Sequence, residues 1–337
     1  MKSFFFANHI IKTRRFIKKN LVVNNTERKR FLIITDSCPG LGPLSAWFHY
    51  TTLINFAKKN RFIPIIDFKN FFMPDFMDEQ NFGKFNYWDV YFTQPTLRYS
   101  LEFAYKSNYL LFDYYKMQKS DDAKFIFSKY CIFKKSDTSY INLMEKKETK
   151  IASKYAELYS ISEVIQNRAR DYCKVNVPEN EKILAVSCIR GHEWLHLIKS
   201  EWTPDGTHTR KVEVNELIAD IEKALIRTGY NYFFFIVDDR ETCECIKKHF
   251  GGRCLTYERA LYHYFENGEP VILETMEKTL NKVNAEFNNI ISPKQTRVMD
   301  YLTEVSIISS CDSLVTRGGA SDTFAYLLKK GKYEYIL

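Results

Sequence analysis

The sequence predicts an α/β fold built on parallel sheets, and three observations carry that expectation. Short apolar runs at 30–35, 183–189, 232–237 and 312–316 each end in a polar or glycine-containing turn. Segments of helical pattern follow them, at 44–59, 212–228, 241–250 and 322–330. The recurrence of strand, polar loop and helix is the building unit of parallel α/β domains, whose crossovers are right-handed.

In chain order, residues 30–35 form the first expected strand. Residues 36–43 make a glycine-rich turn that holds Gly40 and Gly42, and Pro43 suits the first turn of a helix. A helix over 44–59 and a strand over 62–67 complete one βαβ unit. Gly40-Leu41-Gly42 lacks the third glycine of a dinucleotide fingerprint, so hydride-transfer chemistry is not supported. Residues 70–115 are aromatic-rich and irregular, with Trp88, Tyr91 and Phe92 clustered as core packing or as a sugar-stacking surface. A mixed-charge helical stretch occupies 136–170. Val177-Pro178-Glu179-Asn180 then breaks helix and marks the expected domain boundary.

The second half alternates cleanly. A strand at 182–189 leads through a polar loop, 191–211, into a helix over 212–228. That helix puts Val214, Leu217, Ile218, Ile221, Leu225 and Ile226 on one stripe, closed by Gly229. Strand 232–237, helix 241–250, strand 254–257, an insertion over 262–293, helix 295–310, strand 312–316 and helix 322–330 follow. A chain of 337 residues suits two domains of roughly 150 each. The expected division is a basic arm, 1–30, an N-terminal α/β domain, 31–178, and a C-terminal α/β domain, 179–337.

Charge is concentrated at one end. Residues 1–30 hold nine of the 49 Lys and Arg and one of the 41 acids, so residues 31–337 carry 40 of each sign. A neutral body with no recognised motif disfavours nucleic-acid binding. The arm, which also contains phenylalanine, reads as a solvated tail or as a contact with anionic lipid headgroups. No apolar run reaches the roughly 18–20 residues of a membrane span. Residues 4–11 are too short for a secretory signal and no small-residue cleavage site follows, so a cytoplasmic location, peripheral on the inner membrane face, is expected. The eight cysteines form no CxxC pair, which argues for a reducing compartment without disulfides or structural zinc.

Chemistry gathers at the strand ends. In open α/β sheets ligands bind outside the carboxyl ends of the strands. The run 183–189 delivers Arg190, Gly191 and Glu193 there, and a guanidinium fork suits a diphosphate, although Glu193 is an equally natural partner for it. Strand 232–237 ends in Asp238-Asp239, which fits a metal pair or, with Glu241, the spacing of a helix capping box. Strand 312–316 ends in Arg317-Gly318-Gly319-Ala320-Ser321, where the glycines let backbone approach an anion and Ser321 can cap a helix that attracts phosphate. No GxxxxGK[ST] loop occurs, so an NTP-hydrolysing enzyme is disfavoured.

These residues resemble the fucosyltransferase-like glycosyltransferases, which include the α1,6-fucosyltransferases, the nodulation fucosyltransferase and bacterial capsule-cluster relatives. The resemblance covers most of 31–337. Cys188-Ile189-Arg190-Gly191-His192-Glu193 matches the family's His-x-Arg-x-x-Asp motif at the arginine and by charge at the acid, and departs from it at Cys188. Val237-Asp238-Asp239 resembles its Thr-Asp-Asp-like turn, and 300–321 its helix–Cys-Asp–strand–Ser-Ser segment, with one serine kept as Ser321. Gly40-Leu41-Gly42, Ile63-Pro64-Ile65-Ile66-Asp67 and 86–92, with Trp88, resemble acceptor-domain signatures. His208 stands where such proteins often have a histidine.

The resemblance implies a GT-B-like architecture, two Rossmann-like domains facing a cleft. It further implies an inverting, metal-independent transfer from a nucleotide sugar, commonly GDP-fucose, to a glycan or lipid-linked glycan of surface-polysaccharide or glycoconjugate synthesis, with no other cofactor. Arg190, His208, Asp238, Asp239, Arg317, Gly318, Gly319 and Ser321 become candidate donor-binding residues. Gly40, Gly42, Asp67 and Trp88 become acceptor-side candidates. Arg190 stabilises the leaving group, and an acid of the 191–211 loop takes the acceptor proton, with Glu193, Glu201 and Asp205 as candidates and Glu201 nearest in spacing. A catalytically silent sugar-nucleotide or glycan binder is the alternative, given the changes at Cys188 and at the serine pair.

Overall fold

Two mainly parallel sheets organise the chain. The computed structural model describes residues 2–24, 29–36, 43–69, 83–84, 86–118, 120–130, 152–153, 156, 160–188, 214–237, 240–264, 270–272, 293–316 and 320–337. They belong to two units, Met1–Thr138 with Glu157–Ser162, and Ser139–Ala156 with Glu163–Leu337.

The first unit starts with α1 (Lys2–Asn20) and runs directly into β1 (Leu21–Val22). Its sheet continues with β2 (Arg30–Thr35), β3 (Ile63–Asp67) and β4 (Asn108–Asp113) in the order β1-β4-β2-β3. β2 pairs in parallel with both β3 and β4, and β1 pairs antiparallel with β4. Phe31, Leu32, Ile33 and Ile34 are all buried because β2 is interior and covered on both faces. Pro64, which has no N–H, is tolerated because β3 is an edge strand. The crossover helix α2 (Pro43–Lys59) buries Leu53, Ile54, Phe56 and Ala57.

The structure corrects the reading of the arm as a tail. Phe16 of α1 is buried, with its ring 6.2 Å from Phe56 and 6.3 Å from Phe112. Thr13 Oγ1 lies 3.5 Å from the Tyr130 hydroxyl. One stripe of α1 is therefore core, and the chain beyond it closes a sheet edge. The stretch expected to be irregular also holds β4, where Leu110 and Phe112 point inward and Leu111 outward. Short helices α3 (Trp88–Tyr91), α4 (Leu101–Lys106), α5 (Tyr114–Gln118) and α6 (Asp121–Tyr130) surround it, and Ser100 caps α4 by accepting from Phe103 N at 3.2 Å.

Helix α7 (Glu163–Asn176) opens the continuous part of the second unit, ahead of the boundary expected at 178/179. It stays there because Arg168 reaches Asp300 on α10 (Pro293–Ser310) at 3.3 Å, and the Tyr172 hydroxyl donates to Thr256 O at 3.1 Å. The sheet of this unit comprises β5 (Ile183–Cys188), β6 (Tyr232–Val237), β7 (Cys254–Leu255) and β10 (Ser313–Val315). All are parallel, in the order β10-β5-β6-β7. Between β7 and α10, β8 (Tyr262–Tyr264) and β9 (Pro270–Ile272) pair antiparallel within the expected insertion.

Helix α8 (Val214–Thr228) buries Leu217, Ile221 and Leu225 on the sheet, whereas Ile226, expected on the same stripe, points to solvent. Gly229 ends this helix at φ +72° and donates its N–H to Leu225 O at 2.9 Å. Helices α9 (Arg240–Phe250) and α11 (Ala320–Leu328) complete the unit. Ile336 adds a parallel bridge beside Leu314, on the outer side of β10.

Candidate functional site

Strand order decides which loops meet. In the second unit β10, β5 and β6 are consecutive neighbours, with Cys188 in register with Val237 and Val315 with Val186. Their carboxyl ends therefore share one edge of one sheet. Arg190 follows Cys188 by two residues, Asp238 follows Val237 directly and Arg317 follows Val315 by two. Two residues of chain span at most about 7 Å, so connectivity roots all three candidate segments on that edge. Arg190, Glu193, Glu201, His208, Asp238, Asp239, Arg317, Gly318 and Gly319 themselves lie outside the described residues, as do Gly40 and Gly42.

Two arrangements that sequence reasoning missed brace this edge. The buried Arg259 side chain donates from Nε to Glu304 Oε2 of α10 at 2.7 Å and from Nη2 to Val237 O, the last carbonyl of β6, at 2.9 Å. Its Nη1 donates to Ala260 O at 3.2 Å. The guanidinium thus ties α10 to the carboxyl end of β6. At the other exit, Thr316 Oγ1 donates to Asp322 Oδ2 at 2.6 Å, which ties the end of β10 to the first turn of α11. A threonine and an acid six positions apart across a glycine pair was the only signal for this in the sequence.

Ser321 differs from its expected role. Helix α11 begins at Ala320, so Ser321 sits inside the first turn and not at the cap. It is buried, and its hydroxyl donates to Asp322 Oδ1 at 3.1 Å. Helix α9 begins at Arg240, and the Asp238-Asp239 pair before it lies outside the described residues. Cys188 is buried in the core with Leu217 and Val237, in keeping with a thiol that packs as a small hydrophobe. Burial also pushes the Cys173, Cys254 and Cys311 thiols up, Cys254 to about 12.

A cluster of buried ionisable groups lies behind the edge. Burial pushes the Asp300 carboxyl up to about 7, with Arg168 and then Arg259 pulling it back. Asp300 Oδ1 accepts from Arg168, and Oδ2 accepts no hydrogen bond among the described residues. Burial and then Asp300 push the Tyr257 hydroxyl up to about 12. A cleft of ≈ 380 Å³ lies beside the Thr316 exit, lined by Asp220, Lys223 and Arg227 of α8 together with Val315, Thr316 and Leu337. Among the described residues no group of three His, Cys, Asp or Glu side chains is placed to hold a metal ion.

In the first unit an aspartate stands at each parallel strand exit. Asp67 ends β3 and Asp113 ends β4, both in register with Thr35, and Asp36 follows Thr35 directly. Each is engaged. Asp36 accepts from the Tyr50 hydroxyl at 2.9 Å, and burial followed by this carboxylate raises the Tyr50 pKa. Asp67 accepts from the Tyr105 hydroxyl at 2.7 Å and from Lys69 N at 2.9 Å. Asp113 pairs with Lys116 at 3.4 Å. Trp88 is wholly buried against Tyr50, Phe68 and Phe92, and its Nε1 donates to Thr93 O at 3.2 Å. The indole is core, which corrects the sugar-stacking reading: neither face is open.

No protein-family model matches the chain, and no curated protein sequence matches it. Among solved structures it is similar to the fucosyltransferase NodZ from Bradyrhizobium, at 12% identity and a TM-score of 0.46, covering 89% of this chain and 94% of that one. A crystal of NodZ α-1,6-fucosyltransferase soaked with GDP-fucose matches at 11% identity and TM-score 0.46, covering 89% of this chain and 93% of that one. POFUT1 in complex with GDP-fucose matches at 10% identity and TM-score 0.44, covering 94% of this chain and 99% of that one.

Proposed function

We propose that this chain is an inverting, metal-independent glycosyltransferase that moves a sugar, fucose from GDP-fucose first, to a glycan acceptor in surface-polysaccharide or glycoconjugate synthesis. The observation that supports the reading is the shared edge of β10, β5 and β6, since Arg190, Asp238-Asp239 and Arg317–Gly319 are the residues that follow these three strands in sequence. A nucleotide-sugar transfer must stabilise the departing diphosphate and deprotonate the acceptor hydroxyl. Arg190, Arg317 and the backbone at Gly318-Gly319 supply positive potential for the first task. Asp238 or Asp239 takes the nucleoside, and Glu201 or Glu193 acts as base. The first unit receives the acceptor. The enzyme works at the inner face of a membrane, peripherally, where lipid-linked acceptors are available.

The burial of Cys188 where the family has a histidine favours a second reading, a binder of sugar nucleotides without turnover. One experiment separates them. Thermal shifts with GDP-, UDP-, dTDP- and CMP-sugars identify the donor, because a ligand that binds only the folded chain raises its melting point. Slow hydrolysis of the donor so identified supports transfer, binding without hydrolysis supports the second reading, and no shift with any of them overturns both.

A further inference from the structure

From the face that α1 presents to solvent, we infer a docking surface for an anionic lipid bilayer. It deepens the membrane-peripheral part of the proposed reading by naming the surface, and its test does not depend on transfer. Thr13 and Phe16 are buried and Ile17 and Asn20 half-buried, at helical spacing, so one side of α1 is inside the first unit. Ile11, Arg14, Arg15 and Lys18 follow the i, i+3, i+4, i+7 rule on the other side, and all four are exposed. Ile11 is 54% exposed and therefore stands among three cations. Ile10, Lys12 and Lys19 are exposed beside them.

Two features distinguish this face from an ordinary solvated one. α1 contains no acid, and Arg14, Arg15 and Lys18 form no hydrogen bond or ion pair among the described residues. Some exposed cations elsewhere pair with acids, as in Lys106–Glu102, Lys124–Asp121 and Lys182–Glu334. The positive field is therefore local, on a molecule whose remaining residues balance. A helix with cations around an exposed branched aliphatic suits the interface plane, cations at the phosphates and the aliphatic side chain at the acyl boundary. A nucleic-acid backbone would satisfy the cations and offer Ile11 nothing apolar.

The attachment is rigid, because α1 is packed through Phe16 and leads into β1, which pairs with β4. The helix lies on the surface: no described helix is long and apolar enough to cross a membrane.

The test uses the full chain and vesicles of phosphatidylcholine with about one-third phosphatidylglycerol, against pure phosphatidylcholine, at low and high salt. Binding to the anionic vesicles alone, weakened by salt, is expected. Each cation near the headgroups contributes about fivefold, so the triple change Arg14→Gln, Arg15→Gln, Lys18→Gln should weaken binding on the order of a hundredfold with an unchanged melting temperature. Ile11→Ser should weaken it about tenfold. Equal binding to both vesicle types, no binding, or binding unaffected by the triple change or by Ile11→Ser overturns the proposal. So does a duplex oligonucleotide that binds this face while vesicles do not.

Discussion

Arg259 and Glu304 are 45 residues apart in sequence and form an ion pair of 2.7 Å with both side chains almost wholly buried. Because the same guanidinium holds Val237 O, this pair fixes where β6 ends. Removing one partner leaves a buried charge without its counterion, which costs about 3–5 kcal/mol. Arg259→Ala should therefore lower the urea midpoint strongly. A variant as stable as the parent would mean that the pair does not hold the strand exit.

Asp300 makes stability depend on pH. The folded chain holds this proton up to about 7, far above the ordinary carboxyl value of 3.8, because burial disfavours the charge. Between those values the folded chain binds more proton than the unfolded one, so this group's contribution to stability falls as pH rises from about 4 to about 7 and is level above. Asp300→Asn should flatten that part of the profile. Denaturation across this pH range checks it, and an unchanged slope would assign the pH dependence to other groups.

Arg190→Ala should leave the fold intact and cut transfer by 10²–10³, or about 3–4 kcal/mol of transition-state stabilisation. The proposed partner of Arg190 is a ligand phosphate, so the loss falls on turnover. Should the variant melt early and keep normal kcat in its folded fraction, the pairing of Arg190 with Glu193 is the correct role.

Chelation should leave transfer nearly unchanged, because cationic side chains and backbone N–H groups face the diphosphate in the proposed site. Loss of turnover in EDTA with recovery in Mn²⁺ would make Asp238 and Asp239 metal ligands.

Much of the fold was legible because its strands are pure apolar runs. Phe31–Ile34, Ile183–Val186 and Phe233–Val237 announce interior parallel strands, and a polar residue or glycine follows each exit. β4 was hidden because Tyr109 and Phe112 sit in an aromatic-dense stretch where alternation is hard to see. Trp88 was ambiguous for a related reason: an aromatic cluster reads the same whether its faces are open or closed. The candidate site was legible only as a set of strand exits. Its braces, Arg259 to Val237 and Thr316 to Asp322, depend on tertiary proximity that no spacing encodes strongly.

The basic arm shows how composition can mask a packed element. Counted by charge, residues 1–30 look like a solvated tail, yet Phe16 is only 2% exposed and contacts α2 and β4. Phe16→Ala should cost about 3–5 kcal/mol, the range for emptying a core aromatic site. The triple Arg14, Arg15 and Lys18 change to glutamine, on the opposite side of the same helix, should stay within about 0.5 kcal/mol. Truncation of the first 24 residues is then no clean test of membrane contact, since it removes the edge strand paired with Leu110 and Tyr109 as well. Urea unfolding of the two variants decides the matter. If Phe16→Ala and the triple variant unfold at the same midpoint as the parent, α1 is not part of the first unit's core and the arm is a tail after all.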